Sequence, residues 1–288
     1  MTTLRAILSL CRLALLPSVW SNCLAGWWLG GGGHTHLVPV ILTGATLACL
    51  GASFLNDAFD AEYDQQHHPK RPIPAGHIAG QTVWAWALGW LAGAALVFLY
   101  VGKTAGTVGL VLIVLIILQN AVHRWFQAWP CLAGICRFLL YLLGSSIAVR
   151  GITGWAIWSG LALGVFVTGI NWFRNWREHP EKAQSWPLLL TSTPVLLAFI
   201  INAGSYRLSA CLLALVLTVW VTFSLRRADW FSRRKPVLAA AWLFPGIVLV
   251  DWLALANAPK ELSLFFIALF LATLFLQQVQ GEFSAASR

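Results

Sequence analysis

Four acidic side chains, Asp57, Asp60, Glu62 and Asp64, fall inside eight positions of a chain that has only ten acids in all. They belong to the stretch NDAFDAEYDQQHHPKRPIPAG, residues 56–76, which continues through His67, His68, Lys70 and Arg71 into a Pro-Ile-Pro-Ala-Gly turn. Asn56, Asp60 and Asp64 are spaced by four. On an α-helix each such step advances about 40° beyond a full turn, so the three share one stripe, with Asp57 at its edge. Carboxylates crowded on one face repel each other unless a cation sits between them. An oxygen-only donor set at this density suits a hard cation, Mg²⁺ rather than zinc. Mg²⁺ keeps waters and is commonly shared between protein carboxylates and substrate phosphates. Lys70 and Arg71 then bring positive charge to the same phosphates. The plain alternative is a solvated acidic loop that holds nothing.

The elements that must position this stripe are membrane helices. The chain is 59% hydrophobic and 10% charged, with a mean hydropathy of +0.74. A soluble domain carries about 25% charged residues. A bilayer core about 30 Å thick takes about 20 apolar residues per crossing. Apolar runs predict ten helices, near 10–30, 37–58, 81–101, 104–122, 130–149, 154–175, 187–204, 207–225, 236–255 and 260–279. The N-terminal run has no small-residue cleavage site and reads as a retained helix. With a cytoplasmic N-terminus, fourteen of the nineteen Lys and Arg fall on the cytoplasmic side and four opposite, with Arg137 just inside a helix. That bias follows the positive-inside rule and puts the acidic stripe at the cytoplasmic face. The net charge of +9 is thereby a topology signal, and nucleic acid is not an expected partner. Trp27, Trp28, Trp125, Trp129, Trp155, Trp158, Trp172 and Trp176 sit near predicted helix ends, as an interfacial belt does. The six cysteines lack a CxxC spacing and read as free thiols.

The segment NDAFDAEYD with KRPIPAG, at the end of the second predicted helix, resembles the first motif of the UbiA prenyltransferase superfamily. LPSVWSNCLAGWWLG in the first helix is also similar to that group. The resemblance implies an all-α, polytopic bundle of nine to ten transmembrane helices around a central chamber, one integral-membrane domain over 1–288. It implies Mg²⁺ held by Asp60 and Asp64, with Asn56 and Asp57 beside them. The bound diphosphate would belong to a polyprenyl or other isoprenyl donor, and the acceptor would be an aromatic or lipid molecule. The expected setting is the bacterial inner (plasma) membrane, with membrane lipids as surroundings and the active site on the cytoplasmic side.

The chain departs from the resemblance in its second half. A second Asp-x-x-x-Asp pair is expected after the sixth helix, and the sequence there is TGINWFRNWREHPEK. Asn171 and Asn175 keep the spacing as amides. Asn171, Asn175 and Glu178 share one face, and Arg174, Arg177 and Lys182 add charge that can stand in for a second metal. Asn171 after the sixth helix echoes Asn56 after the second. Asn120, His123 and Arg124 end the fourth helix on the same side, and Arg124 is a candidate diphosphate ligand. Arg137 either snorkels to the interface or reaches the diphosphate. Asp251 and Asn202 are placed toward the far interface, away from the chemistry.

Two other classes compete. One is a UbiA-like protein that binds an isoprenoid or lipid as a carrier or assembly factor without turnover. The other is a transporter, against which stands the expectation that no charged residue lies at mid-helix depth. The Asp-Gly…Ala-Arg pattern of the CDP-alcohol phosphotransferases is absent.

Overall fold

Long apolar runs punctuated by Gly and Pro leave the backbone one way to satisfy itself in lipid, the helix. The computed structural model describes residues 3–176, 181, 183–201, 207–231 and 235–281, and every regular element among them is helical. The helices are α1 (Thr3–Leu10), α2 (Leu16–Leu29), α3 (Val38–His67), α4 (Gly80–Val101), α5 (Lys103–Val122) and α6 (Trp129–Ser146). They continue as α7 (Gly154–Asn175), α8 (Pro187–Ile201), α9 (Arg207–Arg227), α10 (Pro236–Leu243), α11 (Gly246–Ala254) and α12 (Lys260–Val279). Helix starts carry proline where its missing N–H costs nothing: Pro17 in α2, Pro39 in α3, Pro130 in α6 and Pro236 in α10.

All ten predicted segments are helical, and among the described residues eight helical spans are long and apolar enough to cross a membrane. A ninth is the α10–α11 pair, bent by 42° at its break. The tenth, α8, has 15 described residues with a proline at position 194, fewer than the about 20 of a full crossing. The first predicted helix, 10–30, is preceded by α1 and interrupted at residues 11–12, and two further departures bear on the site. The second helix was expected to end near residue 58, whereas α3 continues to His67 over 30 residues, about 45 Å. Hydropathy falls before helicity does, and the extra turns carry Asp60 and Asp64. The run 236–255 was expected to be one helix. It breaks at Phe244 and Pro245, where Pro245 cannot donate the N–H that continuation needs.

Two apolar cores flank the middle of the bundle. Phe98, Leu91, Leu112 and Phe54 centre the one built from α3, α4 and α5, while Phe166, Phe173, Leu243 and Phe266 centre the one built from α7 and the C-terminal helices. Helices α2 and α6 join the two. They approach closely because both are glycine at the crossing. A Cβ on Gly144 would lie 1.9 Å from the Cys23 carbonyl oxygen, and one on Gly26 would lie 2.0 Å from that of Tyr141. Backbone cannot yield as a side-chain tip does, so Gly144→Ala is expected to cost about 1–3 kcal/mol through overpacking. A thermal unfolding series in detergent reads this as a lowered midpoint. An unchanged midpoint would refute the tight crossing.

Candidate active site

The stripe at the end of α3 is neutralised by cations from two distant parts of the chain and from the segment just after it. Asp57 Oδ1 accepts from Arg12 Nη2 at 2.8 Å. Asp60 Oδ1 accepts from Arg124 Nη2 at 2.6 Å and Nε at 3.1 Å, and from His123 Nε2 at 3.0 Å. Asp64 Oδ2 accepts from Arg71 Nη1 at 2.7 Å. The Asp64 side chain is 4% exposed, those of Asp57 and Asp60 13%, so these pairs are shielded far more than surface ion pairs. Arg12, one of the fourteen cations counted on the cytoplasmic side, also pairs with the stripe. It adopts a left-handed conformation (φ 42°, ψ 53°) between α1 and the short 3₁₀ turn Leu13–Leu15. That conformation costs a non-glycine residue on the order of 1–3 kcal/mol and is characteristic of functional positions.

Arg71 reaches the stripe because its segment folds back. The Ala75 N–H donates to the Arg71 carbonyl at 2.9 Å and the His77 N–H to that of Pro72 at 3.0 Å. Gly76 closes the turn at φ 72°, which glycine adopts without steric penalty. Lys70 is exposed at the edge of this turn, as are His67 and His68. Arg124 also lies over the Tyr63 ring, 4.2 Å from its centroid. Both ring nitrogens of His123 face acceptors, Asn120 O at 2.8 Å and Asp60 Oδ1 at 3.0 Å. Each contact needs an N–H, which only imidazolium supplies twice. The hydrogen bond to Asp60 accordingly holds the His123 pKa above its ordinary 6.5.

Below the stripe lies a chamber of about 250 Å³ whose polar wall includes Asn56, His123, Asn120, Asn171, Arg174 and Arg137. Trp129, expected in the interfacial belt, also lines it. Leu112, Ile116, Leu140, Val167 and Ile247 make much of the rest apolar. Asn56 and Asn171, the echoing pair, thus share one cavity. Asn171 donates to Val167 O of its own helix at 3.0 Å. Asn175 is engaged elsewhere: its Nδ2 donates to Gln127 O at 2.9 Å, and its Oδ1 accepts from the Trp129 indole. Glu178, Arg177, Lys182 and Asn202 lie outside the described residues.

The fit to a hard cation is visible in Arg71. Its Nη1 lies 2.7 Å from Asp64 Oδ2 and 3.8 Å from Asp60 Oδ2, so the two carboxylates converge on one positive atom. Among the described residues no three His, Cys, Asp or Glu side chains form a metal cage. Two convergent carboxylates fit Mg²⁺, which fills its remaining octahedral positions with water and substrate oxygens.

Asp251 overturns two expectations. It is fully buried on α11 and accepts from Tyr141 Oη at 2.6 Å, Ser21 Oγ at 2.5 Å and Asn22 Nδ2 at 2.7 Å. Asn22 Oδ1 in turn accepts from Arg137 Nη1 at 2.9 Å. Asp251 therefore sits inside the bundle and not at the far interface, and ionisable side chains do occur at mid-helix depth. The α10–α11 bend turns Asp251 inward; Arg137 stays within α6 and does not snorkel.

Asp60 lies one helical turn beyond the chamber-lining Asn56 and bonds the chamber-lining His123, so two convergent carboxylates stand beside a mostly apolar chamber within a multi-pass helical bundle. The chain belongs to the UbiA prenyltransferase family, whose model matches residues 14–269. It is 30% identical over 149 residues to the digeranylgeranylglyceryl phosphate synthase of Methanopyrus kandleri, which is 50% of this chain and 49% of that protein. The chain thus aligns with about half the length of that curated relative. Its fold is similar to a UbiA homolog from Aeropyrum pernix K1, with a TM-score of 0.66 and 12% identity over 83% of this chain and 97% of the other. A structure determined for digeranylgeranylglyceryl phosphate synthase in membranes is also similar in fold, with a TM-score of 0.60 and 13% identity over 95% and 99%.

Proposed function

We propose that this chain is an intramembrane prenyltransferase that moves an isoprenoid group from a prenyl diphosphate to an aromatic or lipid acceptor. The observation that carries the reading is the convergence of Asp60 and Asp64 on one cationic atom, Arg71 Nη1, one helical turn beyond the chamber-lining Asn56. Mg²⁺, when held by Asp60 and Asp64 with Asn56 and Asp57 beside them, supplies the charge that makes diphosphate a good leaving group. Arg71 and Arg124, now spent on carboxylates, turn to the diphosphate oxygens, with Lys70, Arg174 and Asn171 completing the polar mouth. Asn175 stands at the edge of this set as a brace for the 127–129 segment, and Glu178 is kept as a candidate on its sequence spacing alone.

The apolar chamber excludes water from the reacting carbon, and Trp129 offers a π face to the positive charge that develops there. The allylic C–O bond breaks with its electron pair leaving on diphosphate. A nucleophilic atom of the acceptor bonds to that carbon and releases its proton. The name of the Methanopyrus kandleri relative contains a glyceryl phosphate, which supports the lipid arm of the acceptor class. The Lys and Arg bias supports an orientation with the stripe on the cytoplasmic side; a bacterial inner (plasma) membrane is the setting proposed with it.

A second reading, an isoprenoid-binding carrier or assembly factor, draws on Asn175, whose amide is consumed by Gln127 and Trp129 where a second carboxylate pair was expected. Purified chain incubated with labelled prenyl diphosphates, Mg²⁺ and a panel of aromatic and lipid acceptors separates the two. Labelled product supports transfer. Tight donor binding with no product supports the carrier. Absence of donor binding contradicts both.

A further inference from the structure

Arg137 is a cation with more hydrogen-bonding capacity than the protein uses. It lines the chamber beside Ala133, Leu140 and Phe244, with its guanidinium 5.8 Å from the Phe244 ring centroid. Of its five N–H donors one is spent, on Asn22 Oδ1. Among the described residues no carboxylate lies within ion-pair reach of it. Its nitrogens are also not among the buried atoms that lack a partner, so the unused donors open onto the cavity.

The support behind it is elaborate for a residue with no task. Asp251 is anchored by Tyr141 and Ser21 and fixes the Asn22 amide by accepting from its Nδ2. That leaves the Asn22 oxygen for Arg137. The opposite amide orientation would set oxygen against carboxylate and NH₂ against guanidinium, so the electrostatics allow one. The carboxylate thus counters the guanidinium through an amide, at a distance that leaves the cationic face free. A direct Asp–Arg pair would have closed it. A guanidinium held open inside the bundle is costly unless an anion completes it.

Arg137 lies eight residues beyond Trp129 on α6, roughly 12 Å inward along the helix. The diphosphate proposed above is gathered at the mouth by Asp60, Asp64, Arg71 and Arg124. A different anion is needed below.

We infer that Arg137, positioned by Asn22 and Asp251, is an anion-binding residue of the acceptor subsite, and that the acceptor carries a carboxylate or phosphate. The assignment rests on the prenyl-transfer reading for the word acceptor, but the anion site is testable without it.

The full chain in nanodiscs is titrated, without donor or metal, with two matched probe pairs. One is 4-hydroxybenzoate and its methyl ester; the other is a geranylgeranylglyceryl phosphate and its dephosphorylated alcohol. Intrinsic tryptophan fluorescence reads binding, since Trp129 lines the chamber. At least one anion is expected to bind about tenfold tighter than its neutral partner. The pair that discriminates tells carboxylate from phosphate. Arg137→Gln is expected to erase the difference, Arg137→Lys to keep part of it, and Asp251→Asn to reduce it by loosening Asn22. No discrimination in either pair, including no binding of either anion, overturns the inference. So does Arg137→Gln weakening a prenyl thiodiphosphate with Mg²⁺ while leaving the anion–neutral difference intact, which would make Arg137 a donor ligand. If Arg137→Gln does not fold, Arg137→Lys is read instead, and an undiminished anion–neutral difference in it overturns the assignment. Donor binding without discrimination rejects this inference and spares the transferase; discrimination without donor binding does the reverse.

Discussion

Asp60→Asn or Asp64→Asn is expected to lower prenyl transfer by about 10²–10³-fold, the scale of losing one electrostatic contact aimed at developing charge. Each change removes a negative charge and keeps the shape. Asp60 anchors Arg124, His123 and, at longer range, Arg71; Asp64 holds Arg71 alone at close contact. Neutralising either one leaves a single carboxylate where two had converged, so Mg²⁺ affinity falls with activity. The partner cations are about a third exposed or less, so water compensates them and folding is little affected. Rates measured over a range of Mg²⁺ concentrations check this. Activity preserved in both variants would dismiss the stripe as a metal site.

Asp251→Ala is expected to destabilise the fold by about 3–5 kcal/mol, since each buried donor left without its acceptor costs about 1–3 kcal/mol. Three donors, from Tyr141, Ser21 and Asn22, lose their acceptor at once. The Arg137 charge loses the anion behind Asn22. The residue joins α11 to α2 and α6, so the loss reaches the crossing that Gly26 and Gly144 make tight. Asp251→Asn keeps hydrogen-bonding capacity and is expected to cost about 1–3 kcal/mol. Lys260→Ala, on an exposed position, is expected to stay within about 0.5 kcal/mol. Thermal or SDS unfolding of the four proteins orders them. A wild-type midpoint for Asp251→Ala would refute a structural role for the network.

The parts legible in the sequence are those set by local periodicity. Apolar run length located all ten helical segments. The four-residue spacing placed Asn56, Asp60 and Asp64 on one stripe, and the motif NDAFDAEYD pointed to the family that matches the chain. Long-range pairing was not legible. Arg12 lies 45 positions from Asp57, and Arg124 lies 64 from Asp60. Nothing local distinguishes a site arginine from a topology arginine when both sit beside a helix end. Asp251 was misplaced because counting along an assumed straight helix ignores the break at Pro245. The proline was in view, and a buried acid just past it was the available signal. The extension of α3 to His67 was missed for a related reason, since hydropathy marks where lipid ends and not where the helix does.

Equilibrium binding of a non-hydrolysable prenyl thiodiphosphate to the full chain, with Mg²⁺ or with EDTA, addresses the metal-and-diphosphate assignment without requiring turnover or an acceptor. Binding at least about tenfold tighter with Mg²⁺, and loss of that difference in Asp60→Asn, is the expected result. Equal affinity in EDTA and Mg²⁺, unchanged by Asp60→Asn, would contradict it.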